Sequence, residues 1–219
     1  MSVPRSVSVA LLPLLIAFGA RPSRAQSDWL VSGRLALVEQ RVDAGFGLER
    51  FAGVGLGLDV EHRFGSRFTL GLRSQGATVR PDDSGDLDRR IGEVEFNAVM
   101  ALKPWWGVYG GVMRRAIAND AGSQQWTLVR VGAELRPAFS DGRLHALGRL
   151  GAIPVASVSG LSPSSLGFDG VVGVEYDHPR YALRLAYGLE RFAFSSENGN
   201  RRYEQLSTLT FRVGIRLGT

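Results

Sequence analysis

Phe51 to Leu72 reads FAGVGLGLDVEHRFGSRFTLGL, and its residues fall by turns into two chemical classes. Val54, Leu56, Leu58 and Val60 hold one parity; Gly53, Gly55, Gly57, Asp59, Glu61 and Arg63 hold the other. After Gly65-Ser66 the alternation resumes, with Phe68, Leu70 and Leu72 against Thr69, Gly71 and Arg73. A period of two belongs to strands, because successive side chains leave opposite faces. Two long strands with one apolar face and one small, charged face predict a barrel whose outside meets lipid.

Working outward, the pattern recurs in ten segments. Trp29 to Arg41 precedes the hairpin, placing Val31, Leu35 and Leu37 outward and Ser32, Arg34 and Ala36 inward. Arg90 to Lys103 sets Val94, Phe96 and Met100 against Glu93, Glu95 and Asn97. Trp105 to Ala118 is ambiguous, since both of its parities are largely apolar or glycine. Gln124 to Arg136 carries Arg130 and Glu134 inward; Arg143 to Ile153 carries His145 and Arg149. Leu166 to Asp177 adds Asp169 and Glu175, and Tyr181 to Phe194 adds Arg184 and Glu190. Tyr203 to Leu217 ends the series, with Leu209, Phe211, Val213 and Ile215 against Thr208, Thr210, Arg212 and Arg216. The expected fold is therefore all-β, a transmembrane antiparallel up-and-down barrel of ten strands. The weak fifth segment keeps eight as the alternative.

The first 25 residues stand outside this pattern. A basic start at Met1 to Arg5, an apolar stretch from Val7 to Phe18 and Ser23-Arg24-Ala25 read as a cleaved signal peptide. The barrel domain is then 26–219. Arg5, Arg21 and Arg24 leave with the leader and no acid does, so the formal charge of +5 falls by three to +2. That balance gives no reason to expect nucleic acid as a partner. The absence of cysteine excludes disulfides and thiolate metal sites. No cofactor is expected.

Connections alternate in length. Gly65-Ser66, Lys103-Pro104, Ala138 to Asp141 and His178-Pro179 read as tight turns, and the other five connections as longer loops. Short turns on the periplasmic side and longer loops outside are the layout of outer-membrane barrels. Parity then sets expected registers. Phe64 opposite Phe68 puts Asp59 across from Arg73; Leu135 opposite Leu144 puts Glu134 across from His145; Tyr176 opposite Tyr181 puts Glu175 diagonal to Arg184. Trp29, Phe64, Phe68, Trp105, Trp106, Tyr176 and Tyr181 fall at the short-turn ends, and Phe51, Trp126, Phe168, Phe192 and Phe194 near the others. They read as two interfacial aromatic belts. A soluble barrel with its apolar parity inside is the rival, and belts at both strand ends argue against it.

The chain ends Arg212-Val213-Gly214-Ile215-Arg216-Leu217-Gly218-Thr219. This resembles the C-terminal assembly signal of outer-membrane proteins, with Arg212, Gly214 and Leu217 in place. Thr219 departs from the terminal aromatic usual in that family. The resemblance implies the barrel assembly machinery as a partner. Over residues 29 to 219 the pattern is similar to that of the OmpA-like outer-membrane β-barrel superfamily. It implies outer-membrane lipid and lipopolysaccharide as surroundings, and a chain that is barrel only.

The inward charges Asp59, Glu61, Arg73, Glu93, Glu95, Arg130, Glu134, His145, Arg149, Glu175, Arg184 and Glu190 form the candidate site. Mixed signs and long arginines favour a lattice filling a narrow lumen over an open conduit. The expected role is structural or one of surface interaction; a narrow passive channel is the alternative. An enzyme ranks last. Ten strands resemble the omptin proteases, but His62, His145 and His178 all fall toward the short-turn side, away from Asp82-Asp83. Asp82 to Asp88 resembles a calcium loop only loosely, since Leu87 stands where the sharp turn demands glycine. Gly53, Gly55 and Gly57 lie within a strand, where they are expected to make room for neighbouring arginines.

Overall fold

The computed structural model describes residues 28–45, 47–82, 87–139, 142–160, 166–195 and 201–217. The proposed signal peptide, most of the acidic stretch after Asp82, and Gly218-Thr219 lie outside them.

The described residues form ten strands: β1 (Asp28–Asp43), β2 (Leu48–Phe64), β3 (Phe68–Pro81), β4 (Arg89–Lys103), β5 (Trp106–Asn119), β6 (Gly122–Leu135), β7 (Leu144–Val158), β8 (Gly167–Asp177), β9 (Tyr181–Ser195) and β10 (Arg201–Leu217). Each pairs antiparallel with its neighbours in sequence, and β1 pairs with β10 from Trp29↔Leu217 to Asp43↔Tyr203. The sheet is a closed barrel of ten strands. Closure leaves no unpaired ladder edge, which is what a strand-built membrane span requires.

The apolar parity faces out. Leu56, Leu58, Phe96, Leu150 and Val172 are all more than half exposed, while Asp59, Glu95, Arg130 and Glu175 on the other parity are buried. β5 resolves in the same way: Tyr109, Met113, Arg115 and Ile117 are buried, and Val108 and Val112 are exposed.

Register agrees with expectation in one hairpin and differs in two. Phe64 faces Phe68 and Asp59 faces Arg73. In the β6–β7 pair Leu135 faces Gly148, so Glu134 faces Arg149 rather than His145, and His145 faces Glu175 across β7–β8. The turn lies further along than Ala138 to Asp141 suggested. Gly142 takes the left-handed φ of 69°, Phe139 N–H donates to the Leu144 carbonyl, and Ala138 bridges to His145. Only glycine adopts that φ freely, and it fixes the register. At β8–β9 the turn includes Arg180: Asp177 faces Ala182 and Glu175 faces Arg184 directly. His178 N–H donates to the Tyr181 carbonyl there.

Three other expectations change. The β5–β6 connection is a tight turn, because the Asn119 side chain accepts from the N–H groups of Ala121 (3.0 Å) and Gly122 (2.9 Å). β7 runs to Val158 instead of stopping at Ile153. The pairing passes from Val129↔Val155 to Val131↔Ala152, so Ile153 and Pro154 together oppose Arg130. Proline lacks the N–H a ladder needs, and a bulge tolerates that. Finally, the β2 glycines make room for backbone, not arginine. A Cβ on Gly53 would strike the Thr78 carbonyl, and one on Gly55 would lie 2.9 Å from the Gly76 carbonyl.

Arginine placed at Leu58 or Val131, each mid-strand and facing out, should destabilise the inserted barrel by ~2–4 kcal/mol. The heat-modifiable band on unboiled gels should weaken for both variants. Undiminished folding of Leu58→Arg and Val131→Arg in bilayers would contradict the facing.

Candidate functional site

The candidate site is the lumen, and it is filled in two ways along its length. At the long-loop end most inward positions are apolar, and Gln40, which donates to Glu204 at 3.4 Å, and Arg89, 3.6 Å over the Phe51 ring, lie among them. Phe51, Val79, Ile91, Ile117, Trp126, Leu128, Ile153, Val158, Phe192 and Phe194 are buried in one cluster. Trp126 meets Phe192 at 5.4 Å and Phe194 at 5.6 Å between ring centroids, both edge-on. This geometry favours aromatic pairs beyond the area they bury.

The second aromatic belt is thereby corrected. Phe168 does face out, at 55% exposure, but Phe51, Trp126, Phe192 and Phe194 point into the barrel. Their parity is that of Asp59, Arg130 and Glu190 in the same strands. That signal was present in the sequence. Proximity to the strand ends outweighed it. The first belt stands: Trp29, Phe64, Phe68 and Trp105 are exposed.

Beneath the apolar plug, charges run in a chain across the barrel. Arg34 pairs with Asp59 and donates to Gln75 at 3.1 Å. Asp59 also accepts from Arg73 (3.2 Å), which reaches Glu95 (3.0 Å), which lies 3.9 Å from Arg130. Arg130 pairs with Glu190, Glu190 with Arg115 (2.6 Å), and Arg115 with Glu93 (2.6 Å). Four arginines thus meet four carboxylates, so this layer is neutral. Arg115 also lies 5.9 Å from the Trp126 ring and so joins the chain to the plug.

A second network lies nearer the short-turn end. Arg212 pairs with Glu61 and approaches Glu175 at 3.7 Å. Glu175 also holds Arg184 and Arg136, and Asp177 holds Arg136 (2.8 Å) and Arg216. To one side, Glu134 pairs with Arg149, whose guanidinium lies 4.3 Å from the Tyr109 ring. The Tyr109 hydroxyl donates to Asp169 at 2.7 Å. Gly132 and Gly151 leave the space that this ring occupies, since a Cβ on either would collide with it.

Of the residues singled out from sequence, Asp59, Glu61, Arg73, Glu93, Glu95, Arg130, Glu134, Arg149, Glu175, Arg184 and Glu190 all lie within these networks. His145 does not meet Glu134, and its Nδ1 has no hydrogen-bond partner. Arg34, Tyr109, Arg115, Arg136, Asp169 and Asp177 join the networks without having been singled out. Arg115 and Tyr109 were hidden by the ambiguous parity of β5. Arg34, Asp169 and Arg136 carry the inward parity, so the signal was there. Among the residues of the C-terminal signal, Arg212 is buried in its ion pairs and Gly214 leaves room for Leu30 and Ser32. Leu217 faces outward opposite Trp29.

Buried charges of this kind are held by pairing, and removing one partner leaves the other exposed to a low dielectric. Asp59→Ala and Arg73→Ala should therefore be non-additive, with a coupling of about 0.5–3 kcal/mol in a double-mutant cycle of urea unfolding in vesicles. Additive losses would break the link. Gly151→Leu should displace the Tyr109 ring and cost about 1–3 kcal/mol in the same assay. Unchanged stability would mean the ring has another place to go.

No protein-family model matches the chain, and no curated protein matches it by sequence. Among solved structures, the outer membrane protease OmpT from Escherichia coli superposes with a TM-score of 0.56 at 9% identity. It covers 89% of this chain and 98% of its own. The translocator domain of the autotransporter NalP from Neisseria meningitidis gives 0.48 at 13% identity, with 89% and 90% covered. Ail, the attachment invasion locus protein of Yersinia pestis, gives 0.41 at 13%, with 88% and 99% covered. At such identities the likeness is one of fold and carries no chemistry across. A closed ladder of ten antiparallel strands, apolar outside and filled inside, gives this chain the fold of the bacterial outer-membrane β-barrel proteins.

Proposed function

We propose that the protein is an integral barrel of a Gram-negative outer membrane, exported by a signal peptide over residues 1–25, with a lumen closed to solutes. Its role is structural or one of surface interaction. The observation that carries this reading is the filling of the lumen twice in series, by the plug around Trp126 and by the charge chain from Arg34 to Glu93. Interiors of small barrels are filled by side chains rather than left as pores. The apolar outer surface supports lipid around the barrel and the long loops on the outer side. The C-terminal strand would engage the barrel assembly machinery during insertion, through the same residues that later close the ring.

A narrow channel is the second reading. A small cavity lies inside the charge chain, lined by Arg34, Arg73, Glu93, Arg130, Arg184 and Glu190. The apolar plug stands between it and the long-loop end, which favours the closed reading. A non-enzymatic role is supported by the histidines. His62 packs between Trp29 and Phe64, and His178 stacks on Tyr181, both at the short-turn end.

Conductance in a planar bilayer decides between these readings. The refolded barrel, shown to be inserted by its heat-modifiable mobility, should give no current steps in molar salt. Stable unitary steps would establish a continuous water path and overturn the closed lumen.

A further inference from the structure

The filled lumen keeps one hollow at the level of the charge chain, a cavity of about 90 Å³. Six arginines line it: Arg34, Arg73, Arg130, Arg149, Arg184 and Arg212. Glu93 and Glu190 are the acids on its wall, and both are already paired with Arg115. The other carboxylates that hold these arginines, Asp59, Glu61, Glu95, Glu134 and Glu175, do not line the cavity. The wall of the cavity thus carries six positive charges against two negative ones. In a low dielectric such an excess is felt at full strength across a few ångströms.

Three of these arginines hold donors in reserve. Arg73 spends Nε on Asp59 (3.2 Å) and Nη1 on Glu95 (3.0 Å). Arg149 spends Nε and Nη2 on Glu134, and Arg184 spends Nε and Nη2 on Glu175. Arg73 Nη2, Arg149 Nη1 and Arg184 Nη1 are left with no acceptor among the described residues. The three side chains keep 23%, 13% and 18% of their surface open. Because they point inward, that surface opens onto the lumen. They come from β3, β7 and β9, so the spare donors reach the cavity from different sides of the barrel. Leaving such groups unmet away from bulk water is costly.

The rest of the wall selects the acceptor. Met113, Leu147, Val171 and Leu206 also line the cavity. A phosphate or sulfate would turn some of its oxygens toward these apolar side chains and lose their hydrogen bonds. A halide has no directed acceptor atoms to waste and tolerates an apolar side. Water alone would meet the spare donors but leave the excess positive charge unanswered. One water takes ~30 Å³ of liquid volume, so the cavity has room for one chloride ion with about one or two waters.

We infer that this cavity is a binding site for a single halide ion, chloride, held by the spare donors of Arg73, Arg149 and Arg184. The ion is a counter-charge built into the filling, and it joins β3, β7 and β9 at a point where no side chain does. The inference rests on the closed-lumen reading above, because a continuous water path would make the cavity a passage rather than a site.

The test uses the full barrel refolded into vesicles with sodium gluconate as base salt. Chloride is exchanged in at constant ionic strength, so surface screening stays fixed. Raising chloride from about 1 mM to about 100 mM should lift the midpoint of the heat-modifiable transition by about 3 °C or more, and saturably. Crystals grown in bromide should show an anomalous scattering peak inside the cavity. Glu134→Gln/Arg149→Gln removes a lining arginine together with the carboxylate it holds, and Ala186→Leu fills the cavity with every charge kept. Both variants should insert and lose the chloride dependence; if either fails to fold, the bromide peak of the wild type decides. A wild type indifferent to chloride, or a cavity without a bromide peak, would mean that water alone fills it and would overturn the site. Undiminished dependence in Ala186→Leu would place the effect on the outer surface and overturn it equally. Stabilisation by sulfate or phosphate but not by chloride would overturn the halide assignment. Current steps in a planar bilayer would instead overturn the closed lumen beneath it.

Discussion

Closing a ten-stranded ladder forces every second residue of the wall into a narrow lumen, and the rest of the structure follows from how that lumen is filled. An interior of that width cannot leave long side chains unpaired. Burying a lone charge costs several kcal/mol, so each inward arginine needs a carboxylate within reach. Arg34, Asp59, Arg73, Glu95, Arg130, Glu190, Arg115 and Glu93 solve this together, because most of them contact two partners. The chain joins strands on different sides of the barrel and so ties the wall together across its own diameter.

The plug solves the same problem with different chemistry. Around Trp126 the wall is apolar on its inner face, where side chains pack as in the core of a water-soluble protein. The two solutions meet at Arg115, which touches a carboxylate on one side and the Trp126 ring on the other. Such a filling is stiff. It suits a barrel whose loops, rather than its lumen, contact the surroundings.

Strand identity and facing were legible because they rest on parity, which is local and repeats over every strand. Pairing across Asp59 and Arg73 was legible because a glycine turn fixed it. The registers at Glu134 and Glu175 were not, since each depended on where a turn centres. Gly142 and Arg180 settled that through backbone geometry. The ion pairs of Arg115 escaped because β5 has no polar face to read. Phe51, Trp126, Phe192 and Phe194 were placed by their distance from the strand ends, although their parity already pointed inward. A parity rule is stronger than a belt rule wherever the two conflict.

The bulge at Ile153–Pro154 bears on how this chain can change by descent. In a strand, one residue more or less turns over everything beyond it. Here the extra residue in β7 lets Ile153 lie inward and still brings Ala156 and Val158 to the plug, with Val155 on the outer side. Deleting Pro154 would remove the bulge and leave both residues facing inward, whereas deleting a residue from the regular part of the strand would send the residues beyond it to the opposite face. Insertions and deletions within this wall are thus tolerable only in pairs or where a bulge absorbs them. The connections at the long-loop end are free of that arithmetic, and lineages of this protein can vary there in length without disturbing a single inward charge.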